Sequence, residues 1–131
     1  MAIRVFLVED MKHVHGALAD MLSEVGDFRV VDATGTEAEA KLWFAENAGA
    51  WDLAIIDLVL DQGTGMSVIP RAHESAGHGG GKVVVFSDYA SDGIRDHCRK
   101  LGADAVFLKS QVQDLMHYCS ELDGLQAAPA A

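Results

Sequence analysis

Five polar side chains stand where apolar runs stop. Glu9 and Asp10 follow Ile3-Arg4-Val5-Phe6-Leu7-Val8, and Asp57 follows Leu53-Ala54-Ile55-Ile56. Ser87 ends Val83-Val84-Val85-Phe86, and Lys109 follows Ala105-Val106-Phe107-Leu108. Carboxylates gathered in one place repel one another and ask for a cation. Hard oxygen donors in a small open site suit Mg²⁺, which takes one or two carboxylates and keeps several waters. A hydroxyl and a fixed ammonium beside it can hold the charge of a phosphoryl group in transfer, a reaction that needs little beyond positioning and electrostatics. These are the parts of an acyl-phosphate site. The bland alternative is three unrelated acids capping separate loops.

Whether the set is real depends on the elements that carry it. Strand-like and helix-like patterns alternate five times, as in an α/β domain with a parallel sheet. Strands are predicted over 4–8, 28–33, 53–57, 82–87 and 105–108. Val14, Ala17, Leu18, Met21, Leu22 and Val25 recur at helical spacing, so 12–25 reads as an amphipathic helix that Gly26 stops. Thr36 and Glu39 form a capping box for a helix reaching Glu46. A shorter helix is predicted over 68–75 with Pro70 near its start, and Ile94, Cys98 and Leu101 mark another ending at Gly102. Ser110 and Gln113 read as a capping box for the last helix, which buries Val112, Leu115, Met116, Cys119 and Leu122. Right-handed crossovers place helices on both faces of such a sheet and all strand ends on one edge, where ligands bind. The glycine run 77–81 is no phosphate loop, since it lacks the required order and Lys82 begins a strand.

The 131 residues suffice for one domain with a real core, read as 1–124 followed by a short Ala-rich tail over 125–131. Ten basic against twenty acidic residues give a formal charge of −10, which argues against direct binding to nucleic acid or anionic membrane. Cys98 and Cys119 are too few for a disulfide framework or a zinc site, and read as buried thiols in a reducing compartment. No apolar run approaches about 18 residues, and the start lacks a signal-peptide pattern, so a cytoplasmic protein without membrane insertion is expected.

The ordered set of motifs resembles the bacterial two-component response-regulator receiver domain, stand-alone and chemotaxis-regulator-like, over residues 3–122. The matching features are Glu9-Asp10, Asp57, Ser87 after its valine run, Lys109 after Gly102-Ala103-Asp104, and the Gly-rich segment Asp61–Met66. The resemblance implies a flavodoxin-like fold, a five-stranded parallel sheet of order 2-1-3-4-5 with five flanking helices. It implies that Asp57 is the phosphoacceptor, with Ser87 and Lys109 completing the catalytic set. Mg²⁺ would be held by Asp10, Asp57 and the backbone carbonyl of Val59, with Glu9 helping partly through water. The implied donor is a sensor histidine kinase or phosphotransfer protein, the output a downstream protein target or a phosphorelay. Phosphorylation and dephosphorylation would be self-catalysed rather than classical turnover, and a weak homodimer is a further implication.

Three positions depart from that pattern. Val106 stands where such receivers carry an aromatic, and Phe107 is no substitute because adjacent strand residues face opposite ways. Ser110 replaces a proline whose peptide bond is typically cis in the family. Asp88 stands where a small residue is usual, either as an ordinary loop acid or as a charge near the phosphoryl site. His13 and His15 lie near the acidic pair, but residues two apart on a helix do not converge on one ion. Trp43 and Phe44 cannot both be buried on one helix face. The alternative reading is a pseudo-receiver that interacts without phosphorylation. A dehalogenase-type phosphatase would need an Asp-x-Asp pair, which Asp57-Leu58-Val59 lacks.

Overall fold

The computed structural model describes residues 2–77 and 80–127. Short runs rich in apolar and β-branched residues form five strands, β1 (Ile3–Val8), β2 (Phe28–Thr34), β3 (Leu53–Ile56), β4 (Lys82–Ser87) and β5 (Ala105–Leu108). Between and after them run α1 (Lys12–Val25), α2 (Glu37–Glu46), α3 (Ile69–Ala76), α4 (Asp92–Leu101) and α5 (Val112–Ala127). All strand pairs are parallel, in the order β2-β1-β3-β4-β5. This is the expected flavodoxin-like receiver architecture. α5 continues into the segment read as a tail, and 128–131 lie outside the described residues.

Because strand side chains alternate between faces, the sheet divides the core in two. Phe6, Val8, Ala54, Ile56, Val83, Val85 and Val106 face one way and pack on Ala40 and Phe44 of α2, Ile69 and Ala72 of α3, and Cys98 of α4. Val5, Leu7, Leu53, Ile55, Val84 and Phe86 face the other way, onto Leu18 and Leu22 of α1 and Leu115, Met116 and Cys119 of α5. The central strands are therefore buried on both sides, which is why β3 and β4 read as unbroken apolar runs. Trp43 and Phe44 divide as expected. Phe44 is buried, while half-buried Trp43 stacks on Phe6 with ring centres 3.8 Å apart and planes 6° from parallel.

Local chemistry explains the helix ends. Thr36 accepts from the Glu39 amide and Ser91 from the Ile94 amide, each a side-chain N-cap, and proline occupies the first turn of α3. The start of α5 differs from its prediction. Ser110 does not cap it. A 3-10 turn over Lys109–Gln111 leads into the helix, and the Gln111 side chain accepts from the Leu108 amide. The turn moves the capping role one residue past Ser110 and leaves Ser110 exposed. No described peptide bond is cis, so Lys109-Ser110 is trans.

Candidate functional site

The carboxyl ends of β1, β3, β4 and β5 meet at one edge. β1 pairs with β3 so that Val8 lies beside Ile56, and β3 pairs with β4 so that Ile56 lies beside Val85. The residues just beyond, Glu9, Asp10 and Asp57, consequently converge: one oxygen from each lies within 4.8 Å of the others. Glu9, Asp57 and Ser87 are buried, whereas Asp10 is exposed at the mouth. Lys109 reaches back from the end of β5, and its Nζ donates to Glu9 Oε1 at 2.7 Å and to Asp57 Oδ2 at 3.0 Å. The other Asp57 oxygen, Oδ1, accepts from the Val59 amide at 3.2 Å.

The backbone holds these groups tightly. The Asp57 amide donates to the Val8 carbonyl and the Gly65 amide to the Leu58 carbonyl, which folds the Gly-rich loop back over the end of β3. Gly65 has no room for a side chain, since a Cβ there would lie 1.9 Å from the Asp57 carbonyl oxygen. Glu37 on α2 secures the same loop by accepting from the Thr64 amide at 2.9 Å. That amide, then Lys41 and Ser67, hold the Glu37 carboxyl down at about 2. On the far side, Ser87 Oγ accepts weakly from the Tyr89 amide at 3.4 Å.

Above Asp57 opens a cleft of about 270 Å³ lined by Asp10, Met11, Val59, Ser87, Asp88, Tyr89 and Lys109. Asp88 is thus an exposed acid on the cleft wall rather than on a remote loop. Met11, Val59 and Tyr89 give the mouth an exposed apolar rim. His15 places its Nε2 against the Glu9 backbone carbonyl.

Electrostatics mark the cluster as short of positive charge. Burial, and then the hydrogen bond and charge of Asp57, push the Glu9 carboxyl up to about 7, although Lys109 pulls the other way. Burial alone would lower the Lys109 ammonium, but its two carboxylate partners outweigh that and raise it. Glu9 Oε2 is buried without a hydrogen-bond partner. An orphaned carboxylate oxygen beside two further carboxylates fits a hard divalent cation, which supplies the charge that one lysine cannot.

The sequence pattern that defines the response regulator receiver domain matches residues 5–119. The chain belongs to the response regulator receiver family. Its fold is shared by a two-component response regulator of the LuxR family from Aurantimonas sp. SI85-9A1, at 18% identity and a TM-score of 0.75, over 92% of this chain and 87% of that one. A DNA-binding response regulator of the LuxR family from Staphylococcus aureus aligns at 19% identity and a TM-score of 0.76, over 92% and 98%. The structure of a CheX-CheY-BeF3-Mg complex from Borrelia burgdorferi aligns at 17% identity and a TM-score of 0.74, over 88% of each chain. No curated protein matches the sequence. As a receiver domain, the chain is a component of two-component signalling.

Within this receiver, all five residues singled out at strand ends lie at one edge. Val106 and Phe107 face opposite sides of the sheet, as alternation requires. Val106 is buried toward α4, while half-buried Phe107 packs edge-on against Tyr118 of α5. Position 106, where the resemblance implies an aromatic, therefore holds a buried valine.

Proposed function

We propose that this receiver accepts a phosphoryl group on Asp57 from the phosphohistidine of a sensor histidine kinase or phosphotransfer protein, in a Mg²⁺-dependent reaction. The observation that carries the reading is the Asp57 carboxylate itself. It is buried at a strand end, open to the cleft, 3.0 Å from Lys109 and grouped with Glu9 and Asp10. Asp10, Asp57 and the Val59 carbonyl would hold Mg²⁺, with Glu9 behind them. When bound, the ion supplies positive charge against the phosphoryl oxygens and the neighbouring carboxylates.

An Asp57 oxygen attacks phosphorus while the bond from phosphorus to the imidazole nitrogen breaks and the imidazole leaves. Lys109, already beside Oδ2, balances the added charge of about −1.5 to −2 that a phosphoryl group typically carries. Ser87 Oγ accepts a long hydrogen bond from the Tyr89 amide, which leaves its hydroxyl proton to donate to a phosphoryl oxygen. Water later attacks the same phosphorus, breaks its bond to Asp57 and restores the carboxylate. The altered surface then signals through changed protein contacts or passes the phosphoryl group along a relay. The protein acts in the cytoplasm, where kinase and nucleotide are found.

Incubation with Mg²⁺ and acetyl phosphate, followed by intact-mass measurement, tests the reading. The expected result is a single phosphoryl adduct, or accelerated consumption of the donor, absent in Asp57→Asn. Neither adduct nor donor turnover in the parent protein would leave an interaction module that works without phosphorylation.

A further inference from the structure

With valine at 106, the site and the α4–β5–α5 surface need another connection. Arg95 of α4 supplies one. Its guanidinium donates in three directions: Nε to the Ala90 carbonyl at 3.1 Å, Nη1 to the Val106 carbonyl at 2.9 Å, and Nη2 to Gln111 Oε1 at 3.0 Å. The same Gln111 oxygen accepts from the Leu108 amide at 2.9 Å. Ala90 belongs to the loop that begins directly after Ser87 and forms one wall of the cleft through Asp88 and Tyr89. Val106 and Leu108 belong to β5, an edge strand that pairs with β4 alone among the described strands. Arg95 and Gln111 thus bond to edge groups that would otherwise be open to solvent or to another strand.

We propose that Arg95 is the positioning residue that ties the loop after Ser87 to the open edge of β5, and so carries the state of Asp57 to the outer surface. This rests on Asp57 being the phosphoryl acceptor. The guanidinium is half-buried and planar, with its donors at fixed angles. If the Ala90 carbonyl withdraws as Ser87 and its loop close on a phosphoryl group, the fork must turn or lose that acceptor. Either outcome disturbs its bond to Gln111, and with it the Gln111 bond to the Leu108 amide. A buried aromatic couples by moving its volume; here the coupling passes through hydrogen bonds at a strand edge. Coupling is reciprocal, so releasing the edge must also ease closure of the loop.

The test uses the full chain with Mg²⁺ and beryllofluoride, a tetrahedral mimic of the acyl phosphate, in the parent protein and Arg95→Ala. Fluorine NMR follows binding, and amide hydrogen exchange follows Leu108. In the parent, beryllofluoride should bind and speed exchange at Leu108 severalfold. In Arg95→Ala, exchange at Leu108 should already be fast and unresponsive, while beryllofluoride binds on the order of fivefold more tightly. A purely structural role would loosen the edge without strengthening binding. Should Arg95→Ala fail to fold by circular dichroism, Arg95→Lys, which keeps the charge but cannot bridge three acceptors, should show the same loss of response. A Leu108 response that persists in the folded variant, or unchanged beryllofluoride affinity, overturns the proposal. Failure of the parent to bind beryllofluoride overturns the assignment of Asp57 instead, and this inference falls with it.

Discussion

Proton and metal should compete for the carboxylate cluster, and the competition can be given a size. The Glu9 carboxyl rises from 4.5 to about 7 because it is buried beside Asp57. Near pH 8 the group is mostly ionised, and near pH 6 mostly protonated. Mg²⁺ binding that requires the ionised cluster should therefore weaken about tenfold from pH 8 to pH 6, and about another tenfold by pH 5. Calorimetry in buffers of different ionisation enthalpy counts the protons released: close to one per Mg²⁺ at pH 6 and close to none at pH 8. Glu9→Gln, which cannot ionise, should make the affinity nearly independent of pH across this range. Metal-free stability follows with a defined sign. At Glu9 the folded state holds more of the proton than the unfolded chain between pH 4.5 and 7, so this group's contribution to stability falls as pH rises through that window. The full effect is up to about 3 kcal/mol, and Mg²⁺ should cancel much of it. A pH-independent Mg²⁺ affinity with no proton release in the parent protein would refute this account of the cluster.

Other perturbations test separate parts of the site. Lys109→Met removes the cation from between Glu9 and Asp57, so the urea midpoint should drop more at pH 8 than at pH 5, where the cluster can take up protons instead. The same variant should lose acetyl-phosphate labelling of Asp57 by about a hundredfold or more. Gly65→Ala forces a Cβ into the Asp57 carbonyl; the loop must move, with a cost on the order of 2–3 kcal/mol in chemical denaturation and weaker Mg²⁺ binding. Glu37, held near 2 by the Thr64 amide, contributes stability that is present above about pH 4.5 and is lost as pH falls toward 2. Glu37→Gln should flatten the acid limb of the stability profile measured by circular dichroism.

Much of the fold is legible in the chain because burial on both faces writes itself as uninterrupted apolar runs. β4 and β5 fall where the sequence predicts them, and α1 has the predicted ends. The start of α5 departs from its sequence pattern, in which Ser110 satisfies a local capping motif. Gln111 instead answers to the Leu108 amide and to Arg95, sixteen residues back. Local pattern carries no information about such a distant partner.

Apolar patterning alone tells which residues close the strands, and hence that three acids, a hydroxyl and a lysine share an edge if the strands are parallel. How they meet depends on the packing of elements far apart in the chain. Lys109 spans one hundred positions to reach Glu9, burial beside Asp57 lifts the Glu9 carboxyl, and Glu9 Oε2 is left without a partner. Packing likewise brings Arg95 to the Val106 carbonyl and to Gln111 at the edge of β5. Periodicity records which face of an element is dry, whereas the distance between two side chains depends on how separate elements pack. The Asp57 carboxylate is therefore visible in one dimension, and the network around it only in three.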